Sequence, residues 1–253
     1  MKALIDGDIL CYELGFSAEA VEDTPSWGVV EAVLMERFYR ILSESGCDDY
    51  AMFLTAPGPG FRDAVATTRP YKGNRKSEKP FHYSNIRAVL KAHFNCEEAT
   101  DGYEADDLMA MESTANPNTV VCSRDKDLFQ LPGQTYSWAM GRQKRYGPAD
   151  GQPSLMLSEG KLLGRGNPFF YGQLLTGDRV DNIPGLPRVG PAKAAAVLEG
   201  TLLEEMPERV ESLYRSIMGD EWLTYLTEMG RLLWLVRKPD DPLYYWGLEK
   251  EYG

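Results

Sequence analysis

Four groups of acidic residues stand where chemistry on a phosphate would need them. They are Asp6 and Asp8; Glu104, Asp106 and Asp107; Asp125 and Asp127; and Asp178 and Asp181. Asp6 follows the apolar run Ala3-Leu4-Ile5, and Asp125 follows Thr119-Val120-Val121-Cys122-Ser123. Both runs read as buried strands, and in open parallel sheets ligands gather beyond the carboxyl ends of the strands. Carboxylates brought together repel one another and are costly without cations. Oxygen-only ligation suits Mg²⁺ or Mn²⁺. Two such ions about 4 Å apart can activate a water and steady the leaving oxygen in phosphodiester cleavage. The plainer alternative is that acids cap helices and decorate turns, with Asp8, Asp101 and Asp107 the candidates for caps. Four groups at strand or helix ends together favour metal binding.

Two further stretches suit an anionic polymer. Between Arg69 and Lys79 lie Arg69, Lys72, Arg75, Lys76 and Lys79, with Glu78 the one acid among them. Taken alone, such a run is usually a solvated surface. Pro184-Gly185-Leu186-Pro187-Arg188-Val189-Gly190-Pro191-Ala192-Lys193 sets two glycines around a tight apolar turn before a helix. Glycine permits close backbone approach. Amides at such a helix N-terminus can hold a phosphate, and Lys193 adds charge. The string resembles a helix–hairpin–helix, which grips a duplex backbone without reading sequence. An ordinary helix–turn–helix connection is the alternative.

The elements that must position these residues are legible in outline. Tyr50-Ala51-Met52-Phe53-Leu54 is a second apolar strand, and Thr55 to Gly60 is a loop. Val30, Val33, Leu34, Phe38, Ile41 and Leu42 recur at helical spacing between Trp27 and Ser45, and Gly46 stops the run. Ile86 to Phe94 and Glu104 to Ser113 read as further helices, the second with acids in its first turn. Strands alternating with helices predict an α/β domain with a mainly parallel sheet. After about Leu155 the strand signals fade. Phe169 to Thr176, Ala192 to Leu198 and most of the chain beyond Leu202 read as helical. The expected organisation is an α/β core over 1–160 and a smaller helical region over 161–253.

Composition narrows the classes. With 253 residues and 43% hydrophobic content, a sizeable core can form. No run approaches the roughly 18 apolar residues of a membrane span. Met1 to Asp6 is too soon charged for a signal peptide. The four cysteines are far apart and form no CxxC pair, so neither a zinc site nor a disulfide framework is expected. Two histidines, His82 and His93, make a histidine-rich zinc site improbable. The expected location is the cytoplasm. A net charge of −11 argues against a nucleic-acid partner. That argument weakens if many acids are gathered at a metal site, since bound cations invert the local field.

Gly177-Asp178-Arg179-Val180-Asp181-Asn182-Ile183-Pro184-Gly185, running into Val189-Gly190, is similar to the signature of the flap endonuclease / 5′–3′ exonuclease family. Tyr71-Lys72-Gly73-Asn74-Arg75, Glu104-Ala105-Asp106-Asp107 and Asp125-Lys126-Asp127 resemble its other motifs, in the right order. With Asp6 they cover the chain from residue 6 to about 198, and the likeness is greatest to phage members. The resemblance implies a PIN-like 5′-nuclease core with a C-terminal helix–hairpin–helix region. It implies that Asp6, Glu104 and Asp106 hold a first metal, and Asp125, Asp127 and Asp178 a second. Asp181 would assist, and Asp107 would contribute through water. Lys72 and Arg75 would contact the scissile phosphate and Tyr71 would stack on the terminal base. Gly185, Gly190 and Lys193 would hold the duplex, with K⁺ at the hairpin backbone. The implied partner is duplex DNA with a 5′ end or flap, or an RNA–DNA hybrid. A monomer is implied, with any replication proteins acting in trans and the host cytoplasm as location for a phage protein. The alternative is a catalytically weak structure-specific nucleic-acid-binding protein.

Two departures from the family pattern stand out. Ala56 occupies about the place of an aspartate that follows the second core strand, with Asp8 or Asp63 as possible substitutes. Only about thirty residues separate Lys72 from Glu104, where many flap endonucleases build a helical arch. A reduced clamp is therefore expected, with exonuclease action favoured over flap threading.

Overall fold

Ala3, Leu4 and Ile5 have no exposed surface, so the strand they form is covered on both faces, as a central strand of a parallel sheet must be. The structure is a computed structural model and describes residues 1–75, 78–239 and 241. Lys76 and the tail aromatics Tyr244, Tyr245 and Trp246 lie outside the described residues. The chain forms two compact units. One comprises Met1–Gly58, Lys76–Leu128 and Gly133–Asp150; the other comprises Pro59–Arg75, Phe129–Pro132 and Gly151–Gly253. Among the described residues no helix is long and apolar enough to cross a membrane.

In the first unit, β1 (Lys2–Asp6) pairs in parallel with β2 (Asp49–Leu54) on one side and β4 (Thr119–Cys122) on the other. β3 (Cys96–Glu98) extends the sheet beyond β2 and β5 (Gln134–Ser137) beyond β4, both in parallel. β6 (Tyr146–Asp150) closes the edge antiparallel, giving the order β3-β2-β1-β4-β5-β6. The mixed α/β class is as expected, with a sheet dominated by parallel pairs.

Helices α1 (Gly7–Glu19), α2 (Trp27–Ser45), α4 (Tyr83–His93) and α5 (Ala105–Ala115) belong to this unit. Helix α2 has the bounds its apolar spacing predicts. Although Asp6-Gly7-Asp8 has the composition of a turn, the chain passes from β1 to α1 without a loop. Asp6, not Asp8, is the cap, accepting from the Ile9 amide at 3.0 Å. Ile86 and Leu90 of α4 are fully buried in the same core as Leu10, Leu34 and Met52. The helix between Lys72 and Glu104 is thus a core element.

The second unit holds α3 (Phe61–Val65), α6 (Gly166–Thr176), α7 (Pro191–Leu198), α8 (Met206–Met218) and α9 (Trp222–Leu233). Its core joins Phe170, Leu174 and Leu175 of α6 to Val210 and Tyr214 of α8 and Leu226 and Met229 of α9. It also holds a strand pair that sequence reading missed, β7 (Ser154–Ser158) and β8 (Lys161–Arg165), antiparallel from Ser154↔Arg165 to Ser158↔Lys161. The fading of strand signals after Leu155 is therefore corrected. The two-residue turn, Glu159-Gly160, has φ of 49° and 73°, the geometry that joins twisted strands tightly. Glutamate is an unusual residue for the first of those positions, which is why the turn was not seen.

Between α6 and α7 the chain folds back on itself. The Asp178 and Ile183 backbones exchange hydrogen bonds of 2.9 and 2.7 Å. Gly177 and Gly185 come back to back, both at positive φ, and a Cβ on Gly185 would lie 2.2 Å from the Gly177 nitrogen. Gly190 differs: a Cβ there meets nothing within 4 Å. Gly185→Ala should cost about 2 kcal/mol or more in denaturant unfolding, from strain plus overlap. Gly190→Ala should change the unfolding midpoint little. Equal losses in the two variants would contradict this account.

Candidate active site

The carboxyl ends of β1 and β4 are joined by a run of hydrogen bonds through the predicted acids. Asp6 is 2% exposed. One of its oxygens accepts from the Ile9 amide and the other from the Ser123 hydroxyl at 2.7 Å. Ser123 Oγ accepts in turn from the Asp125 amide at 2.9 Å, and Asp125 Oδ1 accepts from the Asp127 amide at 2.8 Å. A single run of bonds thus ties the first acid to Asp125 and Asp127. Burial pushes the Asp6 carboxyl up to about 7, and the charges of Asp8 and Asp125 add to the rise against the pull of Ile9 and Ser123.

Asp8 faces the end of β2. Its Oδ2 accepts from the Thr55 amide at 3.0 Å, and its Oδ1 from Arg87 Nη1 at 3.2 Å. Burial raises its carboxyl and Glu104 adds to that, while Thr55 and Arg87 oppose it. Arg87 Nη2 also donates to the Thr55 carbonyl at 2.5 Å and pairs with Glu98, which Lys91 joins at 2.7 Å. The stretch that carries Ala56 is therefore held by an ion network that is buried around Arg87 and open to solvent at Lys91. Asp63 accepts from the Gly60 amide at 2.7 Å at the start of α3.

Glu104 stands at the N-cap of α5, where the Ala105 amide donates to Thr55 Oγ1 at 2.9 Å, and Asp106 lies half-buried in the first turn. Asp107 is fully buried, and its Oδ2 accepts from the Glu104 amide at 3.0 Å. It takes the capping role that was its alternative reading. Asp101, at φ 55°, lies ahead of the helix and does not cap it.

The remaining predicted residues belong to the second unit. Asp178 is 4% exposed, and its Oδ1 accepts from the Val180 amide at 2.7 Å. Asp181 pairs with Arg75 and accepts from the Tyr71 hydroxyl at 3.2 Å. Its carbonyl accepts from the Lys72 amide at 2.9 Å, Asn74 Nδ2 donates to the Arg179 carbonyl, and Asn182 Nδ2 donates to the Pro70 carbonyl. The basic motif and the Asp178–Asn182 loop are thus one built unit, in which Asp181 seats Tyr71, Lys72 and Arg75. Tyr71 also packs against the hydrophobic core and lies under Lys72 Nζ at 4.8 Å. Its ring therefore has structural partners besides any base. Lys193 is exposed in the first turn of α7, and Gly190 is that helix's exposed N-cap.

The sequence model of the 5′-3′ exonuclease N-terminal resolvase-like domain matches residues 2–152. The chain belongs to this family. DNA polymerase I of Rhizobium leguminosarum is 36% identical over 154 residues, 54% of this chain and 14% of that protein. DNA polymerase I of Pseudomonas aeruginosa is 34% identical over 164 residues, 60% of this chain and 16% of that protein. The alignments thus span about a seventh of the length of these curated relatives. A T5 5′-exonuclease solved with bound zinc superposes with a TM-score of 0.57 at 16% identity over 96% of each chain. A bacteriophage T5 flap endonuclease solved with DNA and metal ions gives 0.57 at 15% identity, over 96% of this chain and 95% of that one. At such identity the likeness establishes the fold, which is that of the 5′-nucleases.

For a 5′-3′ exonuclease family member, the acidic edge has the right donor chemistry for a divalent cation. Its donors are carboxylate oxygens, and burial, with the charges of Asp8 and Asp125, raises the Asp6 carboxyl, an effect a bound cation would counter. The side chains are turned onto protein donors, however. Among the described residues no group of three or more His, Cys, Asp or Glu is arranged to hold an ion. Sequence reading missed Ser123 and Arg87. Ser123 had a signal, a hydroxyl at a strand end beside the acids. Arg87 had none, because its partners Asp8, Thr55 and Glu98 come from three separate segments.

The raised carboxyl has a sign that can be checked. From its ordinary value of 3.8 to about 7, folded Asp6 keeps a proton that the unfolded chain has released. Its contribution to stability therefore falls as pH rises through that window. Without divalent metal, Asp6→Asn should raise Tm at about pH 8 by roughly 2 °C or more, and by less at about pH 4. A gain of the same size at both pH values would show that Asp6 is not held protonated by its surroundings.

Proposed function

We propose that the chain is a metal-dependent 5′–3′ nuclease, hydrolysing phosphodiester bonds near 5′ ends of duplex DNA or of RNA paired to DNA. The observation that carries the reading is the buried Asp6 carboxyl at the end of β1. It feels Asp8 and Asp125 in a chain of the 5′-3′ exonuclease family. Asp6, Glu104 and Asp106 would hold one Mg²⁺ or Mn²⁺, and Asp125, Asp127 and Asp178 a second. Such ions, when bound, supply Lewis acidity and a water of lowered pKa. Lys72 and Arg75 bind the phosphate and oppose the charge that grows on it. Asp181 orients them rather than serving mainly as a ligand, because its carboxylate is engaged by Arg75 and Tyr71. Tyr71 stacks on the terminal base.

The α6–α7 segment acts as the helix–hairpin–helix. Gly190 offers its backbone to a duplex phosphate, Lys193 adds charge, and K⁺ is the monovalent ion suited to the hairpin carbonyls. Gly185 serves inside the hairpin, through its approach to Gly177. Core placement of α4 supports a reduced clamp, and with it a preference for recessed 5′ ends over long flaps. The four cysteines are free thiols, which suits a reducing cytoplasm, the host's if the chain is phage-encoded. We propose a monomer that meets any replication proteins in trans.

A second reading, a binding protein with weak catalysis, draws on Ala56 and on the pairing of Asp8 with Arg87. One assay separates the two. A 5′-labelled duplex with a recessed 5′ end is incubated with Mg²⁺, Mn²⁺ or EDTA. The wild type should release short 5′ products with metal alone. Asp125→Ala/Asp127→Ala should lose at least about 10²-fold in rate, as should Lys72→Ala. Ala56→Asp should lower the Mg²⁺ concentration needed. Binding of the duplex without cleavage under any metal would establish the second reading.

A further inference from the structure

Helix α9 lies in a region whose sequence carries no motif, yet it holds a carboxylate that accepts four hydrogen bonds. Glu228 is 7% exposed. Its Oε1 accepts from the amides of Thr67 and Thr68 at 2.8 and 2.7 Å. Its Oε2 accepts from the hydroxyls of the same two residues at 2.8 and 2.7 Å. All four lone-pair sites of an ionised carboxylate are thereby used. Charge-assisted bonds of this length are the strong kind. Burial alone would raise the Glu228 carboxyl, and the bonds from Thr68 and Thr67 more than reverse that, leaving it below the ordinary carboxylate range.

What the carboxylate holds is not core. Thr67, Thr68, Arg69 and Pro70 are all exposed, so they bury little apolar surface that could fix them. Three residues beyond Thr68 comes Tyr71, then Lys72 and Arg75. One turn back along α9, the Tyr225 hydroxyl donates to the Gly185 carbonyl at 2.8 Å. A single turn of α9 therefore grips the entry to the basic loop and the end of the loop that carries Asp178 and Asp181. Arg62 strengthens the same attachment, donating to the carbonyls of Leu232 and Trp234 at 3.1 and 2.8 Å.

We propose that Glu228 is a positioning residue for the phosphate-contacting loop. It fixes Thr67-Thr68 and through them sets where Lys72 and Arg75 present their charge. The inference rests on the nuclease reading for its effect on rate, and on the hydrogen bonds alone for its effect on the loop. A small misplacement of groups that act on a transition state costs rate far more than it costs binding.

The test uses the full chain with Glu228→Ala and Glu228→Gln. Glutamine can keep the geometry, its Oε1 accepting both amides and its Nε2 donating to both hydroxyls. Glu228→Ala should lower kcat by about 10- to 100-fold with KM within about threefold. Its exchange of the Thr67 and Thr68 amides with solvent should quicken, while that of the remaining core amides stays slow. Glu228→Gln should restore kcat to within about threefold of wild type. Should Glu228→Ala not fold, Thr67→Val/Thr68→Val removes two of the four bonds at the surface and should lower kcat in the same direction. The proposal is overturned by unchanged kcat in folded Glu228→Ala or, failing that, in the valine pair. It is also overturned by Glu228→Ala and Glu228→Gln falling alike, or by exchange that quickens evenly across the whole chain. A wild type that cuts nothing would sink the nuclease reading instead, and the exchange of the two threonine amides would still decide the clamp.

Discussion

Negative charge forced out of water is the constraint around which the first unit is arranged. A carboxylate at the end of a strand covered on both faces loses most of its hydration, and Asp6 is such a group. The local structure answers in two ways. The first turn of α1 offers it an amide, and the residue after β4 offers it a hydroxyl. Neither donor carries a full positive charge, so the answer is incomplete and the carboxyl stays high. Asp8, one helical residue away from the cap, is answered differently, by the guanidinium of Arg87. The contrast is one of chemistry: Asp6 meets only neutral donors, whereas Asp8 meets a full positive charge.

The second unit uses carboxylates the other way round. Glu228 and Asp181 are satisfied by protein donors, and what they gain for the molecule is the placement of an exposed, strongly basic loop. Such a loop buries little apolar surface beyond Tyr71, and its own charges repel. Left to itself it would sample many conformations, at an entropic cost to any ligand that must order it. Anchoring it at Thr67-Thr68 on one side and at Asp181 on the other moves that cost from the binding event into folding. The two glycines at the ends of the Gly177–Gly185 loop serve the same purpose, since only their lack of side chains lets the loop close tightly.

What could be read from the sequence follows from how local each signal is. Helix α2 was legible to its last residue because its apolar stripe is long and regular. The acids at the ends of β1 and β4 were legible because strand and acid adjoin in the chain. Helix α1 was not, since Asp6-Gly7-Asp8 has the composition of a turn, and only burial against the sheet makes it a helix. The hairpin β7–β8 hid behind a turn residue that rarely takes positive φ. Arg87 and Glu228 were invisible for another reason: each gathers partners from segments far apart in the chain. Glu228 left one faint trace, an acid between Tyr225 and Leu232 on one stripe of α9. Asp107 and Asp181 show the converse limit, for a motif names the residue type and not which of two jobs the carboxylate performs.

The attachment of Thr67 to Glu228 spans 161 residues of chain. A growing polypeptide emerges at about 5–20 residues per second, so the threonines leave the ribosome on the order of ten seconds or more before their carboxylate exists. During that interval the basic motif can meet Asp181 but not the carboxylate that holds Thr67 and Thr68. The clamp on Thr67 and Thr68 can therefore close only once α9 has been made, so the loop's anchorage is completed by a segment far along the chain from the loop itself.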